Sequence, residues 1–128
     1  MKKILIFFLS LSIGLCVSAQ PSQRQKMIHI AAVRIAEQIE VSEAYRGDFI
    51  SLYQRYKGES SEIIRAKAPS GENPENSAEL KILDDFEKSQ KLLTLRKAYY
   101  FKFREILTPS QIQRMYDLEK TAKDTSHR

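Results

Sequence analysis

The segment from Ser77 to Ile106 constrains the fold most, because it runs for 30 residues without a glycine or a proline. Its apolar side chains recur with helical spacing, which predicts one long helix over 77–106. Six apolar residues fall on one broad side of this helix and its end: Ile82, Phe86, Leu93, Tyr100, Phe103 and Leu107. Four more fall outside that side: Leu80, Leu83, Leu95 and Phe101. A single partner helix cannot cover a helix that is apolar around so much of its circumference.

The remaining sequence after residue 20 also follows the helical period, and no stretch of it alternates apolar and polar residues as a strand does. We therefore predict an all-α fold with helices at about 24–40, 43–67, 77–106 and 109–122. Ser42 is the expected N-cap of the second helix, with its hydroxyl accepting a hydrogen bond from an amide of the first turn. Residues 68–76 are predicted to form a loop, because Pro69, Gly71 and Pro74 interrupt any helix there.

The clearest helix start in the sequence lies at Thr108. Thr108 can cap a helix, Pro109 suits its first position, and Gln111 can reach back to the Thr108 amide, which together make a capping box. Leu107 and Ile112 are placed on either side of that turn as a hydrophobic staple. Because capping explains these residues completely, we interpret them as structural, fixing the corner between the third and fourth helices.

Residues 1–19 have the order of features of a secretory signal peptide. Lys2 and Lys3 supply the positive charge, residues 4–17 form the apolar run, and Val17-Ser18-Ala19 supplies the small residues of a cleavage site. We predict cleavage after Ala19, a mature domain of residues 20–128 and a periplasmic location.

Two membrane-attached alternatives compete with cleavage. A transmembrane anchor needs roughly 20 apolar residues, and this run is shorter and is followed at once by polar residues. A lipid anchor on Cys16 would need a small residue before the cysteine, and Leu15 is not small. Both alternatives are therefore less favoured than removal of the segment.

Removal of the signal peptide changes both the charge and the chemistry of the chain. It leaves 19 basic against 16 acidic side chains, an excess too mild to favour nucleic acid as a partner. Cys16 is the only cysteine, so the mature chain has no disulfide and no thiol chemistry. Its stability has to come from apolar packing, and self-association would add buried area.

Catalytic and metal-binding patterns are not apparent in the sequence. The two histidines, His29 and His127, are far apart, and Met27 lies on a different side of a helix from His29. The adjacent pair Asp84-Asp85 diverges by about 100° on a helix, which does not suit a catalytic dyad. We predict no cofactor, no metal and no enzymatic activity.

Leu107-Thr108-Pro109-Ser110-Gln111 is a Leu-Thr-x-x-Gln element, followed by Tyr116 and Glu119. With this element in an exported helical chain, the protein resembles the Spy/CpxP family of small periplasmic helical proteins, which carry the element twice. The second copy here, Val41-Ser42-Glu43-Ala44-Tyr45, keeps the apolar residue and the hydroxyl but has Tyr45 in place of the glutamine. The residues that follow it, Phe49, Leu52, Tyr53 and Tyr56, resemble those of Bacteroidetes-type relatives.

The resemblance implies long antiparallel helical hairpins that form a thin cradle, usually as a homodimer. In the chaperone members its concave face binds unfolded clients without ATP. Four aromatic residues at 99–103 cannot all face one core, so at least Phe101 is expected to face a client, a partner subunit or solvent. The candidate client or dimer surface comprises apolar and basic side chains: Tyr99, Tyr100, Phe101, Phe103, Lys97, Lys102, Arg104, Leu83 and Leu95.

Three functions are compatible with this pattern. The first is an ATP-independent periplasmic chaperone or envelope-stress protein that binds unfolded or membrane-bound envelope proteins. The second is a periplasmic regulator that binds and dampens a sensor kinase or an anti-sigma system. The third is a purely structural helical dimer, in which the residues from Tyr99 to Phe103 would be wholly buried.

Overall fold

The computed structural model describes residues 22–126, and this part of the chain consists of four α-helices without a β-strand. The helices are α1 (Gln23–Gln38), α2 (Glu43–Arg65), α3 (Pro74–Arg104) and α4 (Pro109–Ser126). The prediction of an all-α fold with four helices is confirmed. None of these helices has the length and apolarity needed to cross a membrane. The predicted signal peptide at residues 1–19 and His127 lie outside the described residues.

Side-chain caps at Ser22 and Asn73 set the starts of α1 and α3. Ser22 and Gln25 form a reciprocal capping box, with hydrogen bonds of 3.0 and 3.2 Å between the side chain of each and the amide of the other. At α3, the Asn76 amide donates to the Asn73 side chain at 2.8 Å, and Pro74 occupies the first turn. The prediction that the loop extends to residue 76 is therefore wrong. Proline is favourable at the first position of a helix, because an amide at that position has no hydrogen-bond acceptor within the helix.

The connection between α1 and α2 is closed by backbone hydrogen bonds. The Val41 amide donates to the Ala36 carbonyl at 3.0 Å and the Glu40 amide to the Glu37 carbonyl at 3.2 Å. This is the Schellman pattern of a helix end, and Glu40 adopts the left-handed conformation that the pattern requires, with φ of 58°.

Ser42 occupies the N-cap position of α2 with an extended backbone, but its hydroxyl makes no capping hydrogen bond. The predicted role of its side chain is therefore wrong. In a capped helix the Tyr45 amide would donate to the Ser42 hydroxyl. Here the Tyr45 amide donates to the Ser42 carbonyl instead, at 3.1 Å.

The core is built around α2, which packs against α1 and α3, while α4 packs against α3. Five rings from α2 and α3 form an aromatic cluster in which neighbouring centroids lie 5.3–6.3 Å apart: Phe49, Tyr53, Tyr56, Tyr99 and Phe103. The other buried apolar side chains of the core come from α1, α2, α4 and the connections between helices: Ala32, Ile35, Ala36, Ile39, Val41, Leu52, Leu107, Ile112 and Met115.

Most of α3 lies outside this core. Tyr99 and Phe103 are the only fully buried residues among its 31. Ile82, Phe86 and Leu93, which share a helical side with Phe103 in the sequence pattern, are more than half exposed. Ile82 and Phe86 are uncovered because α2 ends beside the middle of α3, where Lys88 donates to the Ala66 carbonyl. At about 1.5 Å per residue, α3 therefore extends well beyond its neighbour. Leu93 lies within the length that α2 accompanies, but about 80° around the helix from the buried Phe103.

Candidate functional site

The predicted capping box at the start of α4 is present. The Gln111 amide donates to Thr108 Oγ1 at 3.2 Å, and the Thr108 amide donates to Gln111 Oε1 at 2.9 Å. Leu107 and Ile112 on either side of the turn are both buried in the core. The element at 107–111 therefore fixes how the chain leaves α3 and enters α4.

Gln111 also connects α4 to the distant end of α1. Its Nε2 donates to the carbonyl of Ile39 at 3.1 Å and to that of Glu40 at 3.2 Å. Carbonyls at a helix C-terminus lack partners within the helix, so this amide satisfies groups that would otherwise need water. We call this arrangement the Gln111 clasp. It joins residues just before Val41 to the element at 107–111, so the two copies of the Leu-Thr-x-x-Gln pattern meet in space.

Two arginines support the two copies in a similar way. Arg46 Nη2 donates to the Val41 carbonyl at 3.2 Å, and Arg104 Nη1 donates to the Leu107 carbonyl at 3.0 Å. Each guanidinium thus holds the carbonyl of the first residue of one copy. In the element at 41–45, Tyr45 stands at the position that corresponds to Gln111, so the clasp contains a single glutamine. The Tyr45 side chain is 45% exposed.

Replacing Gln111 with alanine is expected to lower the free energy of unfolding by about 2 kcal/mol, because a helix cap and two hydrogen bonds to carbonyls are lost together. Urea unfolding followed by circular dichroism measures this change. Gln111→Glu keeps the acceptor but turns an oxygen toward the Ile39 and Glu40 carbonyls, so it should destabilise at least as much. The matched control is Gln113→Ala, since the Gln113 side chain bonds only to Asp117 on its own helix, at 3.1 Å. A Gln111→Ala variant as stable as Gln113→Ala would show that the clasp does not contribute.

Polar contacts also attach the second half of α4 to the rest of the fold. Lys57 on α2 forms an ion pair of 2.8 Å with Glu119, and the Arg96 guanidinium lies 4.6 Å from the centre of the Tyr116 ring. Burial, followed by the negative charge of Glu119, raises the pKa of Tyr53 and raises that of Tyr56 to about 12. These buried hydroxyls are thus held in the neutral form.

The structure divides the predicted client or dimer surface. Tyr99 and Phe103 are 3% and 0% exposed, so their assignment to an external surface is corrected: they are core residues. Phe101 is 70% exposed, and its ring lies 5.4 Å from that of the half-buried Tyr100. Backbone geometry explains the split, because successive helical residues turn by about 100° and cannot all face the core.

Two of the basic residues predicted for this surface, Lys97 and Arg104, are four positions before and three positions after Phe101 on α3 and therefore lie on the same side of the helix. Lys97 and Lys102 are exposed, and the Lys102 ammonium lies 4.6 Å from the centre of the Tyr99 ring. Lys102 is therefore turned away from Phe101, and we call Tyr100, Phe101, Lys97 and Arg104 the Phe101 patch. Leu95 is half-buried against the core, and Leu83, which is 53% exposed, is not adjacent to the patch, since 18 residues of helix span about 27 Å.

A second exposed apolar feature lies in the middle of α3. Ile82, Phe86 and Leu93 are 53%, 67% and 52% exposed. At about 100° per residue they fall within roughly 40° of one another around the helix. We call these three residues the α3 stripe. Sequence periodicity placed them on one side of the helix, but it did not show that no other helix packs over that side.

Histidine and acidic side chains are dispersed. In the described part of the chain, no three His, Cys, Asp or Glu residues are arranged to hold a metal ion. His29 Nδ1 instead lies 2.9 Å from Gln54 Nε2, on the exposed face between α1 and α2.

Comparison with protein-family models, curated proteins and solved structures gave no match for this chain. The resemblance to the Spy/CpxP family therefore rests on the residues of the two elements and on the helical pattern around them.

Proposed function

We propose that this protein is an ATP-independent chaperone or envelope-stress protein of the Spy/CpxP type, which acts in the periplasm after removal of residues 1–19. The observation that carries the proposal is the set of large apolar side chains that α3 leaves exposed. Five of them are 52–70% exposed: Ile82, Leu83, Phe86, Leu93 and Phe101. Several exposed apolar side chains on one helix, surrounded by polar residues, are characteristic of sites that bind other proteins.

We propose the Phe101 patch as the place where clients bind. Phe101 offers an exposed aromatic ring, and lysine and arginine side chains lie around it. Such a mixture suits an unfolded chain, because apolar client segments can pack on the ring while the charges keep the complex in solution and attract acidic segments. The isolated character of the patch also limits aggregation of the chaperone itself.

The homodimer and the antiparallel hairpins of the cradle are part of the same proposal. A small mature chain without cysteine has few ways to gain stability other than by burying apolar area. A second subunit can bury the apolar area that one protomer leaves exposed. A structural dimer without clients is the alternative, and it would have to bury the whole segment from Tyr99 to Phe103, including Phe101, which is 70% exposed on the single chain.

Suppression of aggregation tests the client-binding proposal. The purified protein should reduce light scattering from an unrelated, thermally unfolded enzyme at near-stoichiometric ratio, at low salt and without ATP. Phe101→Ala should weaken this suppression severalfold while leaving the fold intact. Met27→Ala on α1 is the matched control, because Met27 is 63% exposed but lies on a different helix.

Absence of suppression by the unaltered protein over a range of low salt concentrations would refute the chaperone proposal. In that case, recovery of one abundant membrane protein from an envelope extract would support the regulatory alternative, and a fluorescent apolar dye that failed to bind would support the structural one.

A further inference from the structure

The two halves of α4 are attached to the rest of the fold in different ways. In the first half, residues 109–115, the Gln111 clasp fixes the start of the helix, and Ile112 and Met115 are 2% and 0% exposed. In the second half, residues 116–126, no side chain up to position 123 is fully buried, and three are half-buried: Tyr116, Leu118 and Glu119. The first half is therefore anchored in the core, whereas the second half lies on its surface.

Two polar contacts connect the second half of α4 to α2 and α3. Glu119 Oε2 lies 2.8 Å from the Lys57 ammonium of α2, and the Tyr116 ring lies beneath the Arg96 guanidinium of α3. The Lys57 and Glu119 side chains are 34% and 18% exposed, so water and ions reach the pair. An ion pair in contact with solvent stabilises a structure only weakly, and salt screens it.

The closed position of the second half also has a cost at Glu119. The other carboxylate oxygen, Oε1, is buried and accepts no hydrogen bond from the part of the chain that the structure describes. A buried carboxylate oxygen without a donor loses the hydration that it has in water. Opening of the second half would return that hydration while breaking the ion pair with Lys57. The two effects oppose each other, so the closed position is favoured by less than the ion pair alone would give.

The second half of α4 lies close to two buried tyrosines of α2. Tyr53 and Tyr56 are 2% and 5% exposed. Burial, and after it the negative charge of Glu119, raises the pKa of both hydroxyls, which requires the carboxylate to be near them. The Lys57 ammonium, the partner of Glu119, lies 5.9 Å from the centre of the Tyr56 ring. Movement of Glu119 away from Lys57 would therefore uncover the hydroxyl ends of these two rings.

We propose that the second half of α4 is a salt-sensitive lid over Tyr53 and Tyr56. It opens by separation of Glu119 from Lys57, while the first half stays anchored by the Gln111 clasp. Segments with few buried side chains open locally without unfolding of the whole domain. Rising ionic strength favours the open form because it screens the ion pair. The open form presents two neutral aromatic rings on α2, a surface that the closed form lacks and that is separate from the Phe101 patch on α3.

The lid does not depend on the proposed function. A protein that suppresses no aggregation can open in this way, and a chaperone whose α4 never opens separately would overturn the lid alone. The aggregation assay and the measurements of opening therefore test the two proposals independently.

Amide hydrogen exchange of the purified protein measures the opening. Exchange within residues 116–126 should accelerate severalfold between about 0.02 and about 0.5 M NaCl, while exchange within 109–115 and in α2 changes little. Exchange within 116–126 that does not respond to salt would overturn the proposal. Exchange there that accelerates only together with α2 would also overturn it, because the second half would then not open separately.

Substitution of the ion pair gives a second test. Lys57→Met leaves the Glu119 carboxylate partly buried without its counter-ion, so exchange within 116–126 should rise about tenfold at low salt and no longer increase with salt. Lys57→Met/Glu119→Leu should close the lid again, because apolar side chains replace a half-paired carboxylate. A Lys57→Met variant that exchanges like the unaltered protein would overturn the proposal, and so would a double variant that exchanges faster than Lys57→Met.

The matched control for the substitution is Lys91→Met. Lys91 forms an exposed ion pair of 3.2 Å with Glu87 on its own helix. It lies about 140° around α3 from Arg96, which contacts α4. Lys91→Met should therefore leave exchange within 116–126 unchanged, and an increase as large as that of Lys57→Met would overturn the role of the Lys57–Glu119 pair.

Acetylation of tyrosine hydroxyls by N-acetylimidazole, located by mass spectrometry, tests what the lid covers. Tyr53 and Tyr56 should react about tenfold faster in Lys57→Met than in the unaltered protein, in step with the opening. Tyr99 is the internal reference, because it is 3% exposed and its hydroxyl bonds to Glu59 of α2 and not to α4. Unchanged reactivity of Tyr53 and Tyr56, or an equal increase at Tyr99, would overturn the proposal.

Discussion

Replacement of Phe103 by alanine is expected to lower the free energy of unfolding by about 3–5 kcal/mol, as for other fully buried phenylalanines. Phe103 is 0% exposed, and its ring lies 5.8 Å from that of Phe49 and 6.0 Å from that of Tyr56. Truncation would leave a cavity at the point where α2 and α3 meet. Since small domains are stable by about 5–15 kcal/mol, a loss of this size removes a large part of the total.

The matched control is only two residues away. Phe101 is 70% exposed, so Phe101→Ala should change stability by no more than about 0.5 kcal/mol. Chemical unfolding of the two variants under the same conditions gives the comparison. Equal losses for both would mean that the assignment of Phe103 to the core and Phe101 to the surface is incorrect.

The second large effect is expected at alkaline pH. Burial raises the pKa of four tyrosines, Tyr53, Tyr56, Tyr99 and Tyr116, and that of Tyr56 reaches about 12. In the unfolded chain tyrosine ionises near pH 10. Because the folded pKa lies above the unfolded one, this stabilisation is fully present below pH 10 and is lost as pH rises through the folded pKa.

Each tyrosine that ionises only after unfolding lowers stability by about 1.4 kcal/mol per pH unit. Tyr53 and Tyr56 together therefore lower it by about 3 kcal/mol per pH unit above pH 10, and cooperative unfolding should occur between about pH 10 and 12. Circular dichroism and the ultraviolet absorbance of phenolate should change together in a pH titration.

Tyr56→Phe removes one of these ionisations, so its alkaline transition should be less steep and should move to higher pH than that of the unaltered protein. Phenolate absorbance that rises fully near pH 10, while the helical signal is unchanged, would contradict the burial of these hydroxyls.

Local sequence signals predicted those parts of the fold that depend on neighbouring residues. The four helices follow from apolar spacing, and the capping box at Thr108 and Gln111 follows from residues three positions apart. The same reasoning placed the start of α3 too late, because Pro74 was interpreted as a residue that interrupts a helix. Proline disrupts the interior of a helix but is favourable at its first position. At Ser42 the residue type suits an N-cap, but the Tyr45 amide donates to the Ser42 backbone carbonyl and not to the Ser42 hydroxyl.

The features that the sequence did not predict depend on distant residues. No local pattern links Gln111 to Ile39 and Glu40, which lie about 70 positions earlier. Periodicity grouped Ile82, Phe86 and Leu93 with Phe103 on one side of α3, but it contains no information on where α2 ends. The prediction that Phe101 stays outside the core needed only the crowding of aromatics at 99–103, and the structure confirms it.

The Gln111 clasp has a consequence for how the chain matures. The carbonyls of Ile39 and Glu40 emerge early in synthesis, and the amide that binds them is added only after most of the chain has been made. The corner between the first two helices therefore stays hydrated until the last helix arrives. In a chain that ended before residue 111, the Ile39 and Glu40 carbonyls would remain accessible to water. Solvent access to this corner would therefore differ between incomplete and complete chains.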